Sequence, residues 1–145
     1  MPAPIVLPAE MSYVAAALFS TVVLQVFQIW MVVRHRKPSG VQYPRLYAEK
    51  AEMDANPKAY TFNCVQRAHQ NTLEYLPIFY VTTLITALKF PVLAASLLGT
   101  WSVSRIGYTM GYATGKRMNA LSVLHYPIFT GLLVSSGYTV AQFVL

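Results

Sequence analysis

A chain of 145 residues fits one domain, and its composition of 55% apolar and 11% charged residues excludes an ordinary soluble fold, which carries roughly a quarter charged residues. The net charge of +6 raises nucleic acid as a partner, but six of the eleven basic residues lie in one polar stretch: Arg34, Arg36, Lys37, Arg45, Lys50 and Lys58. Lys116 and Arg117 fall in a second short break, and this clustering between apolar runs is the pattern of cytoplasmic loops, with no basic face for nucleic acid. The single cysteine, Cys64, excludes an intrachain disulfide, and with three scattered histidines it cannot build a zinc site. Cys64 reads either as a nucleophile or, more commonly for such a residue, as an inert buried thiol.

Four apolar runs follow in chain order, and they predict an all-α, integral membrane four-helix bundle over residues 1–145. The first, about residues 11–33, is long enough to cross a hydrocarbon core, which takes about 20 residues. It is expected to be a span, not a cleaved signal sequence, because basic residues follow it at Arg34–Lys37 and none precedes it. Residues 34–59 then form a polar loop, broken by Pro38, Gly40, Pro44 and Pro57, with three of the five acids. The second helix is expected over about residues 60–88, with Pro77 inside it as a kink. After a turn at Lys89-Phe90 come a third helix over about 91–112, a break at Thr114–Arg117 and a fourth helix over about 121–145, with Pro127 inside. Because the first and third loops are both basic, they belong in the cytoplasm, and both termini belong in the lumen.

Ionisable residues inside membrane helices are costly unless paired or hydrated, so they mark function by default. Arg67, Asn71 and Glu74 stand at i, i+4 and i+7 and share one helix face, with Tyr75 on its flank. Arg105, Tyr108 and Tyr112 form a second strip at i, i+3 and i+7. Both strips lie toward the cytoplasmic ends of their helices and are placed to meet at one depth. Two structural alternatives stand beside this reading. Arg67 and Glu74 would pair, with each other or with Arg105, and lock the bundle. The tyrosines would belong to an interfacial aromatic belt. The convergence of charge, amide and phenol favours a site for a small ligand bearing carboxylates and an ammonium group.

The segment FNCVQRAHQNTLEYLP, Phe62 to Pro77, resembles the signature of the MAPEG family (membrane-associated proteins in eicosanoid and glutathione metabolism), in particular its microsomal glutathione S-transferase 3 branch. GYTMGYATG, Gly107 to Gly115, is similar to that family's third-helix pattern of two tyrosines four apart. The resemblance implies a homotrimer of the endoplasmic reticulum, with glutathione bound between neighbouring subunits near the cytoplasmic face. Carried over by motif, Arg67, Asn71, Glu74 and Tyr75 would hold glutathione, with His69 adjacent, and Tyr108 and Tyr112 would contribute from the third helix beside Arg105. Arg36 and Lys37 match a basic pair after the first helix that contacts glutathione in the leukotriene synthase branch.

The family's catalytic group is an arginine at the cytoplasmic end of the third helix. Here the break ATGKRMN is shorter than in the relatives, so no arginine falls at the expected spacing; Arg117 is the candidate, with Lys116 behind it. The implied activity is glutathione transfer, with peroxidase action on lipid hydroperoxides, and a lipophilic electrophile or hydroperoxide from the membrane lipid as second substrate. The rival reading is a non-catalytic lipid-binding scaffold of the lipoxygenase-activating type. A channel or transporter would need a polar stripe through the full bilayer depth, and the polar groups here gather at one end.

Overall fold

The computed structural model describes residues 8–145, so residues 1–7 of the expected 1–145 domain lie outside the described residues. Among the described residues all regular structure is helical: α1 (Met11–Ser39), α2 (Lys50–Ala55), α3 (Pro57–Ala87), α4 (Pro91–Ala113), α5 (Ala120–Val123) and α6 (His125–Val144). α1 packs on α3 and α4, α3 also meets α4 and α6, and α4 meets α6.

Two stretches, Met11–Ser39 and Ala120–Val144, are long and apolar enough to cross a membrane by length and composition. Their most apolar windows are only 33% and 28% buried, which separates them from the core helices of a soluble protein. α3 and α4 fall outside that test, because they carry the polar strips. The buried stripe of α1 runs Val14, Ala17, Thr21, Leu24, Gln28, Val32, at helical spacing, while Phe19, Val22, Val26 and Ile29 face outward. Val14, Ala17 and Leu24 meet Leu76 and Phe79 of α3, Leu98 and Trp101 of α4, and Ile128 and Leu132 of α6. Phe79 stacks on Trp101 at 4.0 Å between ring centroids.

Polar side chains join the three central helices. The Gln28 amide donates to Thr72 Oγ1 at 2.9 Å and to Thr109 Oγ1 at 2.8 Å, and all three residues are fully buried. Each threonine hydroxyl in turn donates to its own helix, Thr72 to the Ala68 carbonyl and Thr109 to the Arg105 carbonyl.

The helix ends differ from the sequence expectation in instructive places. α1 does not stop at Val33 but continues to Ser39 and closes on Gly40, whose φ of 78° suits a glycine terminator. Arginine and lysine are good helix formers and are favoured in the last turn by the helix dipole. Pro38 lies within that turn, where its missing N–H forfeits a single backbone bond. α3 begins at Pro57 instead of Tyr60, because the Asn56 side chain accepts from the Lys58 amide and a proline is tolerated at the first helical position. The fourth run divides at Leu124 into α5 and α6, and α5 is opened by a capping box between Asn119 and Ser122.

The 34–59 segment is more ordered than a polar loop. Asn63 of α3 exchanges two hydrogen bonds with the Ala48 backbone, at 2.8 and 2.9 Å, and holds the segment against α3. α2 carries its own capping box between Glu49 and Glu52. Arg45 clamps Glu52 through two hydrogen bonds of 3.0 and 2.7 Å.

Two expectations follow. Gln28→Ala removes two buried bonds and leaves a void, so the detergent-solubilised protein should lose about 2 kcal/mol of stability in a denaturant titration, whereas Val26→Ala on the outer face should change little. The hydrogen bonds from Arg45, then the Glu49 backbone N–H, hold the Glu52 carboxyl below the usual carboxylate range. Its support of α2 is therefore present above the ordinary Glu value of about 4.3 and lost as pH falls through the lower folded value. Amide exchange over residues 50–55 should stay slow from neutral pH to below that ordinary value and then rise; Glu52→Gln should remove the pH dependence.

Candidate functional site

The two strips touch at one point, where Arg105 meets Asn71. Arg105 is 3% exposed, yet no carboxylate meets it: among the described residues the ion pairs are Arg45–Glu52 and Arg67–Glu74. Its Nε donates to Thr72 Oγ1 at 3.1 Å and its Nη2 to Asn71 Oδ1 at 2.8 Å. The guanidinium carbon lies 3.8 Å from the centroid of the Tyr108 ring. The same Thr72 hydroxyl that accepts from Gln28 thus also accepts from Arg105, so the cation is anchored to the polar junction of α1, α3 and α4. A buried cation held only by neutral groups is a poor resting arrangement and a good receptor for an anion.

Arg105 opens onto a cavity of about 60 Å³ lined also by Asn71, Tyr75, Tyr108, Arg117, Met118, Ser122, His125 and Tyr126. Two guanidinium groups and no carboxylate line it. Arg117 reaches it because the chain after α4 doubles back along that helix. Gly115, at φ 81°, makes the reversal. Gly111 and Gly107, one turn apart, leave room for the returning strand: a Cβ at Gly111 would run into the Asn119 amide and one at Gly107 into Leu121. Asn119 fixes the turn, donating to the Gly107 carbonyl at 3.1 Å and accepting from the Ser122 amide at 2.9 Å.

His125 was not singled out from the sequence, although the rule applied to Arg105, that an ionisable residue in an apolar run marks a site, covers it equally. The Trp101 indole donates to His125 Nδ1 at 3.1 Å. An indole can only donate, so Nδ1 is the bare nitrogen and the neutral ring carries its proton on Nε2. Tyr75 meets this imidazole edge-on at 4.5 Å. Ser122, Met118 and Tyr126 were also unforeseen, since their approach depends on the turn.

The other expected residues lie elsewhere in the chain. Arg67 and Glu74 pair with each other across two turns of α3, at 2.6 and 3.1 Å, with side chains 42% and 54% exposed. The pair locks no helix to another within this chain and presents an outward-facing charged surface. Tyr47 of the loop donates to Gln70 nearby, at 2.8 Å, and burial pushes its phenol up against the opposing pull of the Arg67 charge. Tyr108 is buried, so the aromatic-belt reading does not describe it, whereas Tyr112 is half-buried and packs edge-on to Tyr108 at 5.6 Å. His69 turns to α1, with Nδ1 3.5 Å from Gln28 Oε1.

Arg36 is buried between the rings of Tyr43 and Phe62, at 4.2 and 4.7 Å, and donates to the Arg45 carbonyl at 2.7 Å. Lys37 beside it is exposed, and both line a separate cavity with Val33, Val41, Gln42 and Tyr43. Cys64 is buried, with no place in either cavity.

Described residues that are all helical in their regular structure, with apolar helix faces turned outward and a polar pocket lined by two arginines, define a membrane-associated class of protein. The MAPEG family model matches residues 14–141, nearly the whole described chain, and the protein belongs to the MAPEG family.

The placement of Arg117 rests on the glycine contact. In Gly111→Ala the Asn119 amide must move, and the loss of its anchoring contact, about 1 kcal/mol, should raise amide exchange at Lys116 and Ser122 roughly fivefold. Exchange within α3 should be unaffected.

Proposed function

We propose that this protein is a membrane-bound glutathione transferase with glutathione peroxidase activity toward lipid hydroperoxides. The observation that carries the reading is the cavity in which Arg105 and Arg117 face Asn71, Tyr75 and Tyr108 without a carboxylate. The MAPEG family includes glutathione transferases as well as the non-catalytic lipoxygenase-activating protein, and two unneutralised cations suit the first more than the second.

Glutathione offers two carboxylates and a thiol that must ionise. A free thiol has a pKa near about 8.5, so only a few per cent is thiolate at neutral pH. An adjacent guanidinium favours the thiolate and, unlike a lysine, stays protonated throughout. Lowering the thiol by about two units corresponds to roughly 2.7 kcal/mol of preference for the anion. Arg117 takes this role, on a turn at the mouth of the cavity, and Arg105 with Asn71 takes a carboxylate or amide of the peptide. The thiolate then forms a C–S bond to an electrophilic carbon as the leaving group departs. With a hydroperoxide it attacks oxygen instead: the O–O bond breaks, the alcohol leaves with a proton, and a second glutathione reduces the sulfenic acid to the disulfide and water.

A single chain encloses about 60 Å³, whereas pockets for drug-sized ligands run to roughly 300–1,000 Å³. One chain therefore supplies a wall of the site. In our reading α1, α3, α4 and α5–α6 each span the bilayer, and three copies assemble so that neighbouring chains close on glutathione. The exposed Arg67–Glu74 pair, Tyr112, His69 and the Arg36–Lys37 corner then belong to the surfaces that complete it. The basic segments 34–58 and 116–117 set the site on the cytoplasmic side, with the endoplasmic reticulum as the resident membrane.

The test is an absorbance titration of the glutathione thiolate on the purified protein. A thiolate signal near neutral pH is expected in the native chain, with a loss of about tenfold or more in thiolate affinity in Arg117→Ala. Survival of the signal in that variant would move the role to another cation, Arg105 first. Glutathione binding without any thiolate in either protein would favour the scaffold.

A further inference from the structure

A second cationic groove lies where α1 ends and α3 begins. Asn56, the N-cap of α3, donates to the Ser39 carbonyl at 3.3 Å and ties the two helix ends together. The groove between them has a volume of about 260 Å³ and is lined by Arg34, His35, Pro38, Lys58 and Thr61. None of these belongs to the cavity of Arg105 and Arg117.

We propose that this groove binds the phosphate of an anionic phospholipid. Three observations converge on that occupant. Neither Arg34 nor Lys58 has a carboxylate within 4.0 Å; the ion pairs among the described residues lie elsewhere. Lys58 occupies the second position of α3, where the positive end of the helix dipole reinforces its charge, and Thr61 stands one turn on. The groove also sits at the end of an outward apolar stripe: Val26 and Trp30 precede Arg34 in steps of four residues, exposed by 63% and 51%. Arg34 caps that stripe with its guanidinium 5.1 Å from the centroid of the Trp30 ring.

This arrangement matches a lipid, with acyl chains along the stripe and an anionic phosphate at its charged end. A free phosphate would satisfy the cations and leave the stripe unused. The choline of a zwitterionic lipid would be repelled by Lys58. His35 adds orientation, since its Nδ1 lies 2.7 Å from the Met31 carbonyl and must donate to it, which leaves Nε2 as the ring nitrogen not committed to α1. The inference rests on α1 lying in the bilayer and is independent of glutathione chemistry.

Native mass spectrometry of the full-length protein in detergent tests it, with phosphatidic acid, phosphatidylcholine and inorganic phosphate as probes. Phosphatidic acid should bind in preference to phosphatidylcholine, and inorganic phosphate should not displace it. Each lost cation near a membrane surface costs about 1 kcal/mol, so Arg34→Gln with Lys58→Gln should weaken phosphatidic acid binding about 30-fold, and Lys58→Gln alone about fivefold. Lys58→Arg should retain it. Equal affinity in native and doubly substituted protein, equal binding of phosphatidylcholine, or displacement by inorganic phosphate would each overturn the proposal. The single substitution lies on an exposed side chain and keeps the test open should the double variant not fold.

Discussion

The Thr72 hydroxyl is the point at which three helices are fastened. It accepts from Gln28 of α1 and from Arg105 of α4 while donating back into α3. With lipid outside, apolar side chains gain little by facing inward, so the strength of helix association comes from close packing and from polar bonds that have no alternative partner. The chain shows both contributions. Beside the apolar core of Leu24, Phe79, Leu98 and Trp101, its centre carries a glutamine, two threonines and an arginine, drawn from α1, α3 and α4. The polar junction thus does two things with one set of atoms: it fixes the register of α1, α3 and α4, and it holds the Arg105 guanidinium at a set depth.

Position of the second cation follows from a different constraint, the absence of side chains. Gly107 and Gly111 present bare backbone on α4, and the returning turn lies against it with Asn119 bonded to the Gly107 carbonyl. Arg117 is consequently carried on a short, capped segment and not on a helix. The short connection after α4 delivers an arginine to the cavity because the glycines let the chain fold back close to the helix axis. Spacing along the sequence is a poor guide to such a residue; closeness of approach decides it.

Much of the helical layout was legible in the sequence because long apolar runs and their breaks are local signals. Asn71, Tyr75, Arg105 and Tyr108 were also legible as neighbours, since helical periodicity places the first two and the last two on shared faces. What escaped depended on pairing between helices. In the sequence Gln28 is one polar residue within an apolar run, and only the approach of Thr72 and Thr109 makes it a structural centre. His125 gains its meaning from Trp101, 24 residues earlier, whose indole fixes its tautomer. Arg34–Lys37 read as a loop flank, yet they extend α1, because helix propensity and dipole favour basic residues in a last turn and Arg36 finds two aromatic rings to lie between. The sequence shows which residues are out of place in a membrane; it does not show which of them find one another.

Charge is distributed in a way that sharpens this point. The described chain neutralises Glu52 with Arg45 and Glu74 with Arg67, each by a two-point contact within one stretch of sequence. Both pairs are exposed, where such contacts contribute little to stability. Arg105 sits where a counter-ion would matter far more, and it has only an amide and a hydroxyl. Had stability alone governed the core, a carboxylate at Asn71 would pair with Arg105 at the same 2.8 Å contact. An amide there holds the guanidinium in place without cancelling its charge, as the proposed role in binding an anionic ligand requires.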